Sequence, residues 1–206
     1  MSQITALAVA VYVALSTAAL ADIQRFSQNP SLQQQASMIE MSIEIDAAVA
    51  EVWNLVGKHF DKSKVFNVEA VSTFYLEGTT PQVGSRRRTI GTDGTFIDVQ
   101  IFRFSHRDHT VSWEITNTDL APLSFGFSEY RLENIGAKRT RLVQTSGFKM
   151  ESGLMNAAMR FRFPTILKTE LAGIKFFIET GNQITPRTAR KVRLKYGDAI
   201  NVRRSW

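Results

Sequence analysis

The chain has 206 residues, 44% of them hydrophobic, which is enough for one domain with a sizeable apolar interior. It has no cysteine, which excludes disulfides and thiolate metal sites and leaves the redox compartment unread. The net charge of +6 belongs to one end: past Pro186, seven basic residues stand against Asp198, and the rest of the chain is balanced.

The first element is an uncharged run, Ile4 to Ala21, closing on Ala19-Leu20-Ala21 before Asp22. An apolar stretch with a small-x-small ending reads as a secretory signal peptide over 1–21, and the expected localisation is periplasmic or secreted. The leading Met-Ser-Gln lacks a Lys or Arg, and the run reaches the lower limit for crossing a bilayer, so a membrane anchor is the alternative. Residues 22–37, rich in Gln, Ser and Asn, read as a linker.

From Met38 the pattern alternates for about eight residues and then changes at Val49, Val52, Trp53 and Val56 to helical spacing. Asp46 is the expected N-cap of that helix, and Glu51 suits the positive end of its dipole. Strand-like segments follow from Val68: to Gly78, then Ser85–Gly91, Thr95–His106, His109–Thr118, Phe125–Ile135 and Arg139–Phe148. Asp93-Gly94, Arg107-Asp108 and Gly136 mark the turns. Short connections predict an antiparallel meander of six to seven strands. Ser152 to about Gly181 is a long helix with Leu167, Leu171, Ile174, Phe177 and Ile178 in one stripe, and Pro164 is expected in the first turn of its regular part. The domain so bounded spans 38–182, and 183–206 is a basic tail, solvated and partly disordered, with a weak affinity for anionic membrane.

Several patterns look chemical without being so. His106 and His109 flank a hairpin turn where the rings should diverge, so no metal site is read there. Arg86, Arg87 and Arg88 alternate across a strand without interleaved aromatics, so no nucleic-acid partner is expected. Gly84, Gly91 and Gly94 lack the strand-to-helix setting of a phosphate loop.

The order strand, short helix, meander, long helix, with the segments IEIDAAVAEVWNLV, VGSRRRTIGTDGTFIDVQI, HTVSWEI, EYRLENI and TRLVQTSGF, resembles the SRPBCC superfamily (START and Bet v 1-like), in particular its polyketide cyclase/dehydrase-like group. The resemblance covers about Met38 to Gly181. It implies an α+β helix-grip fold, a curved antiparallel sheet wrapped on the C-terminal helix around a cavity for an apolar ligand. No cofactor is implied.

The strand register implied by that resemblance points Asp98, Gln100 and Phe102 inward. Trp113 and Ile115 follow from the next strand, then Ser128 and Tyr130, then Leu142, Gln144 and Ser146, under Leu171 and Ile174 of the helix. Arg88 and Tyr130 are candidates to steady a developing oxyanion, and Asp98 is the candidate acid or base, its pKa raised by desolvation. The alternative for Asp98 is a structural pair with Arg87 or Arg88. The functional expectation is binding or transport of a lipid or polyketide-like molecule. A cyclase/dehydrase-type enzyme and a membrane-associated quinone or lipid carrier are the alternatives.

Overall fold

The computed structural model describes residues 23–120 and 122–206. The expected signal peptide lies outside them. β1 (Ser37–Ile45) buries every second residue, with Ile39, Met41, Ile43 and Ile45 almost wholly removed from solvent. The short helix α1 (Val49–Trp53) follows, but its cap differs from the expected one: Ala48 holds the N-cap position and its N–H donates to Glu51. Asp46 instead donates its backbone N–H to Glu179, 2.9 Å away. A wide turn (Asn54–Lys58) and a tight one (Phe60–Val65) lead to β2 (Ala70–Glu77).

The meander continues through β3 (Arg86–Gly91), β4 (Phe96–Ser105), β5 (Thr110–Thr118), β6 (Leu123–Gly136) and β7 (Arg139–Met150). α2 (Gly153–Thr180) lies across it, capped by the Ser152 side chain and ended by Gly181 at φ 71°. Pro164 sits inside this continuous helix and not in its first turn. Its missing N–H there leaves one rung of the helix unbonded.

Among the described residues the sheet has eight strands in the order β2-β3-β4-β5-β6-β7-β1-β8, all neighbours antiparallel and both edges open. The eighth comes from the segment expected to be a solvated tail. Pro186–Tyr196 forms α3, and β8 (Asn201–Ser205) pairs with Met38–Ser42 of β1. The cations hide a core set: Ile184, Val192, Tyr196 and Ile200 are buried in the main cluster.

The expected linker is also packed. Gln24 donates its N–H to Ser124 O at 2.8 Å, Phe26 stacks on Phe127 at 4.0 Å, and Leu32 is buried with Phe125 and Phe127. These contacts lie on the face of the sheet away from α2. Both faces of its centre are therefore covered.

Candidate functional site

Strand pairing decides which side chains meet beneath α2. Tyr130 stands opposite Gln144 and Val111, and Trp113 opposite Ser128, so these residues share the inner face. Ile115, Leu142 and Ser146 follow by alternation, and Leu171 and Ile174 close the space from the helix. Trp113 packs edge-on against Tyr130 at 4.9 Å and against Phe60 at 5.1 Å. Leu171 and Ile174 are fully buried in the same cluster. The middle of the interior is thus filled by interlocked side chains.

Three of the residues expected inside lie on the opposite face, as does Arg88, the candidate to steady an oxyanion. In β4, Val99 and Ile101 join the main core, which turns Asp98, Gln100 and Phe102 outward. Phe102 belongs with Phe26 and Phe127. Gln100 accepts from Arg25, and Asp98 takes a two-pronged ion pair from Arg88, at 2.7 and 2.8 Å. Asp98 is 1% exposed, yet it satisfies Arg88 and faces away from α2. Its expected catalytic placement is therefore corrected to the structural pair. Register shifts between Asp98 and Val99 and between Ile101 and Arg103 interrupt the alternation, so Phe104 returns to the inner side beside Trp53.

The polar groups that do meet inside are Arg87, Tyr130, Gln144 and Tyr75, facing Glu170 of α2. Arg87 lies next to the outward Arg86 and Arg88 and so points inward, its guanidinium 3.6 Å from the Phe60 ring centre and donating to Phe60 O. Tyr130 donates its hydroxyl to the Glu170 carboxylate. Burial pushes the Glu170 pKa above its usual value, opposed by Tyr130, Arg87 and Gln144, which favour the charged form. Burial likewise raises the Tyr130 pKa, reinforced by the Glu170 charge. Arg87 is lowered to about 10 by desolvation, so it remains a cation at neutral pH.

Tyr75 pairs with Arg87 across β2 and β3, and its pKa is raised to about 12, chiefly by burial. Tyr75 Oη, Arg87 Nε and Gln144 Oε1 are buried without a hydrogen-bond partner among the described residues. Such orphaned groups are rare inside proteins and call for a ligand or water.

Glu170 links this cluster to the outside. It lines a cleft of about 170 Å³ with Thr165, Ile166 and Thr169 of α2, the segment Asn67–Glu69, Arg162 and Arg193. A second, wider cleft of about 640 Å³ lies at the far end of α2, between His59, Glu51, Lys138, Phe177 and Glu179. The two imidazoles of His106 and His109 do not diverge: both rings pack edge-on against Trp53, and Trp53 Nε1 donates to His106 Nδ1 at 3.0 Å.

Reasoning from sequence missed Glu170 and the inward side of Arg87. The signal was present for Glu170, which falls three residues after Leu167 and four before Ile174, a carboxylate on the apolar stripe.

A family model described as polyketide cyclase / dehydrase and lipid transport matches residues 38–176. No curated protein matches the chain. Among solved structures, the protein XoxI from Bacillus cereus superposes with a TM-score of 0.59 at 19% identity, covering 70% of this chain and 96% of its own. An uncharacterized protein from Bacillus thuringiensis gives 0.58 at 18% identity, with 69% and 98% covered. A Thermobifida fusca protein gives 0.57 at 14% identity, with 68% and 92% covered. At these identities the likeness is one of fold.

Proposed function

Because this chain belongs to the polyketide cyclase, dehydrase and lipid transport family, we propose that it binds a largely apolar small molecule, lipid-like or polyketide-like, whose polar end meets Arg87, Tyr130, Gln144 and Glu170. Membership supports hydrophobic ligand binding in general. The observation that carries the particular site is the set of buried, unpartnered atoms Tyr75 Oη, Arg87 Nε and Gln144 Oε1 behind the Glu170 cleft. A ligand hydroxyl there would accept from Arg87 or Tyr75 and donate to Gln144 Oε1, and a ligand carbonyl would accept from Arg87 or Tyr75, satisfying groups that otherwise cost free energy. The cleft of about 170 Å³ is smaller than a drug-sized pocket. A long ligand therefore requires α2 and the Asn67–Glu69 segment to part, while its head occupies the cluster.

A cyclase/dehydrase-type reaction is the second reading, and Glu170 favours it. A carboxylate with a raised pKa beside a phenol and a guanidinium can take a proton next to a carbonyl while Arg87 steadies the oxyanion. The uncharged run Ile4–Ala21 supports delivery of the domain to a membrane or across it.

Native mass spectrometry of protein purified from its own host, paired with anilinonaphthalene sulfonate binding, tests the site. A copurified apolar compound is expected. Gln144→Leu should weaken probe binding about tenfold, the loss of one buried hydrogen bond. Asp98→Asn should leave binding unchanged, because its carboxylate faces away from α2. Equal loss in both variants, or loss only in Asp98→Asn, would overturn the assignment.

A further inference from the structure

The outer side of α2 in its first half is apolar. Leu154, Ala157, Ala158 and Phe161 recur at helical spacing, and all four are exposed. Leu154 is 83% and Phe161 87% exposed, the most exposed large hydrophobic side chains among the described residues. A helix facing water ordinarily turns polar residues to that side, and an apolar stripe left open marks an interaction surface.

Three features at the same end identify what covers it. Leu120, 44% exposed, belongs to the β5–β6 connection, which Glu151 N–H ties to the start of α2 through Pro122 O at 3.3 Å. The described chain begins here as well, since Gln24 is held to Ser124 of β6 and Ser27 and Arg25 are fastened to Glu114 at 2.7 to 2.8 Å. The 18 residues directly before it, Ile4–Ala21 and then Asp22, carry no charge until that aspartate and are as long as the shortest bilayer-crossing segments. Arg162, beside Phe161, and Arg193 add cations where the stripe meets the cleft, and neither makes an ion pair among the described residues.

We propose that this end docks on an anionic lipid bilayer. Leu154 and Phe161 enter the boundary between headgroups and acyl chains, and Arg162 and Arg193 meet lipid phosphates. This rests on the ligand-binding reading above in one respect: docking turns the Glu170 cleft toward the membrane, the source and sink of an apolar ligand. The place where the described residues begin makes the geometry specific: with Ile4–Ala21 retained as the membrane anchor, the tie of Gln24 to the sheet brings the bilayer to the α2 stripe and keeps the far turn at Lys138 away from it.

The chain has no cysteine, so single labels can be placed without further change. Full-length protein carrying Phe161→Cys or Lys138→Cys is labelled with an environment-sensitive fluorophore. It is then mixed with vesicles of phosphatidylcholine and phosphatidylglycerol in equal parts that bear a lipid-borne quencher. Quenching should be several-fold stronger at position 161 than at 138, and adding Leu154→Asp should reduce it several-fold. Equal quenching at both positions, or none at 161 in vesicle-bound protein, would overturn the proposal. So would a label at 161 already shielded before vesicles are added, whether by the chain's own first residues or by a second copy. Loss of quenching with probe binding intact rejects docking alone; quenching without probe binding rejects the ligand site alone.

Discussion

Tyr130 and Glu170 carry the most consequential contact in the interior, because a carboxylate under α2 has to be either neutral or well solvated by fixed donors. Tyr130→Phe removes its donor and should cost about 1–3 kcal/mol in urea unfolding, most of it recovered when Glu170→Gln is added. The pH dependence has a definite sign. Folded Glu170 holds its proton more tightly than the unfolded chain, whose value is near 4.5. Stability is therefore fully present below about that pH and falls as pH rises through the folded value. Glu170→Gln should flatten that part of the curve, and a stability profile of the two proteins from acid to neutral pH reads it directly. An unchanged slope would place Glu170 in a solvated setting. Neither residue's partner was visible in the linear order, since 40 positions separate them. Asp98 is the opposite case: it stands among phenylalanines in the sequence, but its neighbours in space are Arg88 and the covered outer face.

α2 shows how one element can obey local rules and still depend on a distant one. Its stripe, its Ser152 cap and its Gly181 stop follow from the sequence, whereas Gly173 looks like a weakness in a helix interior. A Cβ there would lie 2.2 Å from Phe66 O, so the glycine permits α2 to rest on the chain between α1 and β2. In an ordinary helix Gly→Ala gains about 1 kcal/mol. Here Gly173→Ala should instead lose about 1–3 kcal/mol through forced separation of packed backbone, as measured by denaturant midpoint, and a gain would mean that contact is loose. β4 illustrates the reverse case. With α2 on one side and residues 24–36 on the other, both parities carry apolar residues, and its shifts in register move side chains across the sheet. Period-two reasoning has no unique answer for such a strand.

At the scale of the whole molecule, the two ends of the described residues complete the sheet. Residues 24–36 cover its outer centre and β8 extends its β1 edge. Deleting 183–206 would uncover β1 and remove Ile184, Val192, Tyr196 and Ile200 from the core, so the shortened protein should melt at lower temperature and self-associate in sedimentation. A truncated protein as stable and monomeric as the full chain would mean that the end is only an ornament. The meander and the long helix could be read from order, spacing and turn residues alone, because each depends on neighbours a few positions apart, and the family from the resemblance those segments carry. The tertiary structure alone decided which face of β4 is inner, that Arg87 and Glu170 meet beneath α2, and that residues 24–36 and 184–205 are folded. Those outcomes rest on pairings between residues far apart in the chain, where scattered apolar side chains such as Phe26, Leu32, Val192 and Tyr196 find partners that no local pattern announces.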